Sequence, residues 1–243
     1  MTLRILTDDE LESKGITALI WGREGVGKSS LAAEMQAPLY INVENKVPPM
    51  IRARVEANGG QFAIIDELGD LNQLYNDLMA GKDVLGFKPQ SLVIDSMTEL
   101  TDMHVDDLED SPKMRAKDGD KDGYKVYRTS LKDVLNLVRG FKVLGLPTLM
   151  TALEKYRQDD RMRYNYMAAV PGKLATEGRL PAAVDISARY IARGEDSAYH
   201  TLHMVSGKDF SAKAPKGVPK KIEVKNDEPE TLLATLQQLG LRR

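Results

Sequence analysis

The sequence predicts an α/β domain, a mostly parallel central sheet flanked by helices and finished by a late antiparallel edge. Three observations predict it. Apolar runs of strand length alternate with segments of helical spacing through residues 16–153. The first of these runs passes through a glycine-rich turn directly into an amphipathic segment. From about residue 183 the text changes to VDISARYIARG and AYHTLHMVSGKDF, two strand-like runs joined by the turn GEDS.

Taken in order, residues 1–14 read as a short arm, either solvated or adding a strand to an adjacent subunit. ITALIWG (16–22) reads as a buried strand and KSSLAAEM (28–35) as the helix after the turn. PLYINVE (38–44), QFAII (61–65), SLVID (91–95) and PTLMTAL (147–153) are further strands. Residues 70–81 and 124–145 have helical spacing. The core is expected to span 15–211. Residues 212–226 hold Pro215, Pro219 and several lysines and read as a basic linker. Residues 227–243 begin with an Asp and an early Pro and read as a C-terminal helix, with Leu232, Leu233, Leu236 and Leu239 on one stripe. That stripe either folds back on its own core or docks on a neighbour.

With 243 residues, 42% of them hydrophobic and 29% charged, the chain has the composition of a soluble globular domain, which excludes a disordered or collagen-like protein. It has no apolar run of about 18 residues and no basic-then-apolar start, so neither a membrane span nor a secretory signal is expected and the expected address is cytoplasmic. Cysteine is absent, which excludes disulfides, thiolate catalysis and thiolate metal sites. The net charge of −2 hides an asymmetry: residues 1–110 hold 9 Lys and Arg against 20 Asp and Glu, and residues 111–243 hold 25 against 16. The second half is the one expected to meet a polyanion.

The strongest motif is GREGVGKS, comprising Gly22, Arg23, Glu24, Gly25, Val26, Gly27, Lys28 and Ser29, with Ser30 following. It fits G-x-x-x-x-G-K-[ST] between a strand and a helix. The glycines let successive N–H groups form an anion nest, Lys28 brings a cation to the β- and γ-phosphates, and Ser29 offers a hydroxyl to Mg²⁺. SLVIDS then delivers Asp95 to the carboxyl end of a strand, where ligands of open parallel sheets sit, so Asp95 is a candidate for the same Mg²⁺; the alternative is an acidic helix cap. The residue after Asp95 is Ser96, which has no carboxylate to activate water. Glu44, at the end of PLYINVE, is the candidate base; the alternative is a solvated strand-end acid.

GREGVGKS with Glu at its third position, INVE ending the next strand and VIDS resemble the ATPase core of RecA-type recombinases. PLYINVE, GLPTLMTALE and the PGK before a late strand are similar to the small phage-encoded RecA-core proteins, over about residues 15–211. The resemblance implies ATP and Mg²⁺ as cofactors, DNA-stimulated hydrolysis, and a protein of single-strand annealing or recombination working in the host cytoplasm. It implies single-stranded DNA, further copies of the chain in a ring or filament, and a single-strand-binding protein as partners. It gives the catalytic roles to Lys28, Glu44 and Lys208, the last acting on a neighbour's ATP; Lys208 otherwise reads as a turn lysine in solvent. A γ-phosphate sensor falls at Thr151 or Glu154, where the family's Gln or His is missing.

Two DNA loops are also implied. The first, 104–123, contains Lys113, Arg115 and Lys117. The second, 154–172, mixes Arg157, Arg161 and Arg163 with Tyr156, Tyr164 and Tyr166, the combination of phosphate attraction and base stacking used on single strands. The alternative is a charged surface hairpin whose tyrosines pack on its own sheet.

Other patterns compete. DGDKDG (118–123) opens like a Ca²⁺ loop but has Thr129 where a bidentate Glu is needed. DELG (66–69) resembles a GTPase motif without the matching base-reading sequence. RQDD (157–160), with Arg161 and Arg163, resembles the lid of nucleoside monophosphate kinases, so such a phosphotransferase is one alternative function. The other is a non-catalytic ATP-dependent switch or assembly factor.

Overall fold

The computed structural model describes residues 15–44, 46–81, 83, 86–115, 120, 122–158, 162–192 and 199–242. The N-terminal arm, Lys117 and Arg161 lie outside them. The strands are β1 (Thr17–Gly22), β2 (Pro38–Asn42), β3 (Gln61–Ile64), β4 (Ser91–Asp95), β5 (Thr148–Gln158), β6 (Tyr164–Ala168), β7 (Ile186–Ala192), β8 (Tyr199–His203) and β9 (Lys221–Lys225). The helices are α1 (Lys28–Ala32), α2 (Pro49–Ala57), α3 (Leu68–Met79), α4 (Met97–Asp110), α5 (Gly123–Leu144), α6 (Gly172–Thr176), α7 (Arg179–Ala183) and α8 (Pro229–Gln238).

The sheet runs β3-β2-β4-β5-β1-β7-β8-β9, with β6 paired to β5 alone. Pairs from β3 through β7 are parallel, and β7–β8 and β8–β9 are antiparallel. This is the expected α/β fold with its antiparallel edge. Both faces are covered, as a parallel sheet requires. In β1, Leu19 and Trp21 enter a core with residues of α3, α4 and α5, while Ala18 and Ile20 enter a second core with α1, α2 and α8. No helix among the described residues is long and apolar enough to cross a membrane.

Three segments depart from the sequence reading. Residues 212–226 are not a free linker: Lys213 bridges Ser187, and 221–225 form the edge strand β9. KIEVK alternates, burying Ile222 and Val224 while Lys221 and Glu223 face out, and the surrounding prolines and lysines mask that period of two. Residues 104–110 belong to α4 rather than to a loop. Residues 154–158 and 164–168 form a β-hairpin, with Tyr156 opposite Tyr166 and Gln158 opposite Tyr164. The C-terminal helix folds onto its own sheet, where Leu232, Leu236 and Leu239 are fully buried.

Candidate nucleotide site

The parallel order brings the carboxyl ends of β1, β2, β4, β5 and β7 to one edge of the sheet. The loop leaving β1 turns tightly over that edge. Gly25 and Gly27 have φ of 75° and 87°, and a Cβ on Gly22 would lie 2.2 Å from the Tyr190 carbonyl, so larger side chains are excluded. Lys28, the first residue of α1, folds back across the loop and donates to the carbonyls of Gly22 (3.0 Å) and Arg23 (2.8 Å). Burial pushes its ammonium below the usual lysine range, opposed by the carboxylates of Asp95, Glu44, Glu154 and Glu24.

Asp95 ends β4 between β2 and β5, and both neighbours hold it. The Tyr40 hydroxyl of β2 donates to Oδ2 at 2.5 Å, and the Thr151 hydroxyl of β5 donates to Oδ1. Burial, followed by the charge of Asp95, raises the Tyr40 pKa well above the ordinary value, so the phenol stays a donor. Nearby Ser29 opposes that shift. Ser29 and Asp95 thus flank one phenol. Two hard oxygen donors at one point suit Mg²⁺, which keeps water and phosphate as its remaining ligands. Among the described residues no group of three His, Cys, Asp or Glu could hold a metal ion.

Glu44 follows β2 by two residues and is exposed. Burial of part of its carboxyl, then the charges of Asp95 and Glu99, raise its pKa, and Lys28 opposes them. The Ser96 side chain caps α4, accepting from the Glu99 N–H at 3.4 Å.

A glycine-rich loop after the first strand, a lysine folded over it and an aspartate ending a strand beyond the inserted β5 agree with the family comparison, in which residues 14–215 match a model described as AAA domain. The chain belongs to this AAA-type family of P-loop ATPases. No curated protein matches it.

In this AAA domain the two sensor candidates have other partners. Thr151 is engaged by Asp95. The Glu154 side chain is buried, 2.6 Å from Arg189 of β7 and 3.7 Å from Arg23 of the phosphate loop. Arg189 is buried too, with its guanidinium 3.9 Å from the Tyr166 ring centre, 5.1 Å from Phe210 and 5.8 Å from Trp21. Lys208 is exposed on the rim of a cleft of about 610 Å³ that includes Trp21, Tyr166 and Phe210, and Lys28, Ser29 and Asp95 do not line that cleft.

The proposed DNA residues divide. On the β5–β6 hairpin Tyr156 and Tyr164 are exposed and meet edge to face at 5.3 Å, whereas Tyr166 turns inward onto Arg189. Arg157 lies on the opposite face of the ribbon from these tyrosines, because side chains alternate along a strand. Arg163 is exposed just before β6. Lys113 and Arg115 are exposed after α4. Of the competing patterns, Asp122 caps α5 by accepting from the Lys125 N–H at 2.9 Å, and Gly69 lies inside α3.

Tyr40, Arg189 and Asn226 were not singled out from sequence. Tyr40 sits two residues before the end of β2, in a strand buried at every position, so no alternation marks it. Arg189 and Asn226 carry no local motif.

Proposed function

We propose that this AAA-domain protein is a RecA-like ATPase that hydrolyses ATP, binds single-stranded DNA and assembles on it to promote annealing or strand exchange. The loop N–H groups and Lys28 hold the β- and γ-phosphates. Ser29 and Asp95 hold Mg²⁺, which when bound neutralises phosphate charge. Glu44 accepts a proton from the attacking water, and its raised pKa improves it as a base near neutral pH. Lys208 approaches the ATP of a neighbouring copy.

The single observation that carries the reading is the continuity of β5. One strand runs from Thr151, bonded to Asp95, to Tyr156 and Arg157 on the exposed hairpin. Five residues of strand span about 17 Å, so Thr151, whose hydroxyl holds the metal aspartate of β4, and the aromatic ribbon lie on one stiff element. The test is steady-state ATP turnover measured alone, with single-stranded DNA, and with nucleoside monophosphates. Stimulation by DNA is expected. Phosphoryl transfer to a monophosphate would replace this reading with a kinase, and turnover by neither route would leave a nucleotide-dependent switch.

A further inference from the structure

The phosphate loop is held from outside by a residue about 200 positions away. Asn226, immediately after β9, donates from Nδ2 to the Val26 carbonyl at 2.8 Å. Its orientation is fixed, because Oδ1 accepts the Tyr190 hydroxyl and Nδ2 lies 3.0 Å from His200 Nδ1. The contact is tight enough that a Cβ on Gly27 would lie 2.2 Å from Nδ2. The second glycine of the motif is therefore required by Asn226 as well as by its own φ of 87°.

A trans peptide places its C=O and the following N–H on opposite sides. Holding the Val26 carbonyl outward on Asn226 turns the Gly27 N–H toward the inside of the loop, where a phosphate oxygen is to be met. We propose that Asn226 is a positioning residue for nucleotide binding: it locks the Val26–Gly27 peptide with its N–H inward before nucleotide arrives. The C-terminal segment is then a working part of the nucleotide site, and α8 anchors it. Arg242 beyond that helix reaches back to the Glu34 carbonyl and, at 2.8 Å, to Asn58 Oδ1.

This inference rests on the loop binding nucleotide, and the test separates the two. Full-length wild type, Asn226→Ala and Asn226→Asp are titrated with Mg·ADP by calorimetry, and their KM and kcat for ATP are measured together with nucleotide-free melting temperatures. Asn226→Asp keeps the shape and the acceptor for Tyr190 and loses the donor to Val26 but adds a negative charge near the phosphates, so a third variant, the uncharged near-isostere Asn226→Leu, is measured beside it and must weaken ADP binding to a similar extent for the loss to be assigned to the hydrogen bond. All three variants are expected to bind ADP about tenfold more weakly and to raise KM similarly, with kcat within about twofold of wild type, as for one lost hydrogen bond that matters only in binding. Wild-type affinity in Asn226→Asp or Asn226→Leu, or a lower melting temperature with unchanged KM, would overturn the positioning role. Absence of ADP binding by wild type would instead reject the nucleotide site itself.

Discussion

The hydroxyl of Tyr40 stands 2.5 Å from Asp95 Oδ2, across the parallel pair β2–β4. From the other side Thr151 closes on Oδ1, so the carboxylate is clamped by its two neighbouring strands. In the proposed role of Asp95 as an Mg²⁺ ligand, such fixing sets the position of the carboxylate before the ion and nucleotide arrive. Replacing Tyr40 with Phe or Thr151 with Val removes one hydroxyl from a buried charge. Each is expected to destabilise the fold by about 1.5–3 kcal/mol in urea denaturation and to raise the Mg²⁺ concentration needed for half-maximal turnover.

Glu44→Gln is expected to keep ATP affinity and lose turnover by about 10²–10⁴-fold, the usual contribution of a positioned base. The base acts ionised, and burial with Asp95 and Glu99 nearby raises its folded pKa. Turnover should therefore fall on the acid side at a pH above that of an ordinary glutamate, and Glu99→Gln should move that limb to lower pH. The pH–rate profiles of the wild type and of Glu99→Gln check both statements.

Arg189 neutralises the buried Glu154 at 2.6 Å. Arg189→Ala leaves Glu154 with only the exposed Arg23 at 3.7 Å and is expected to cost up to about 3–5 kcal/mol of folding stability, with Glu154→Gln in the same chain restoring part of it. Thermal melting of the single and double variants measures this coupling.

The hairpin separates stacking from charge. Tyr156→Ala with Tyr164→Ala should weaken single-strand binding by about 1–3 kcal/mol per stacked base while leaving its salt slope unchanged. Arg157→Ala with Arg163→Ala should flatten the slope of log K against log salt. Fluorescence anisotropy with a labelled oligonucleotide over a salt series distinguishes the two.

What was legible in the sequence is what is local. The phosphate loop and Asp95 announce themselves because strand, turn and ligand residue are contiguous, and the alternation of apolar runs and helical segments yields the parallel sheet. The hairpin was legible only as one of two readings of residues 154–172, since the 11-residue strand β5 is buried on both faces over its first five residues and then ends in the polar EKYRQ. The edge strand β9 was hidden by flanking lysines and prolines, and its burial depends on α8, which follows it. Tyr40, Arg189 and Asn226 act through partners 55, 35 and 200 positions distant, separations that no periodicity encodes. The basic second half of the chain contributes the exposed hairpin Arg157 and also the buried Arg189, so its charge is divided between surface and site.

The claim that one strand joins an ATP site to a single-strand surface is tested most directly by binding a labelled oligodeoxythymidine to the wild-type protein, with Mg·ATP and without nucleotide. The account predicts binding that strengthens when Mg·ATP is present and loses this dependence in Lys28→Ala. Equal binding in both conditions, or none in either, would contradict it.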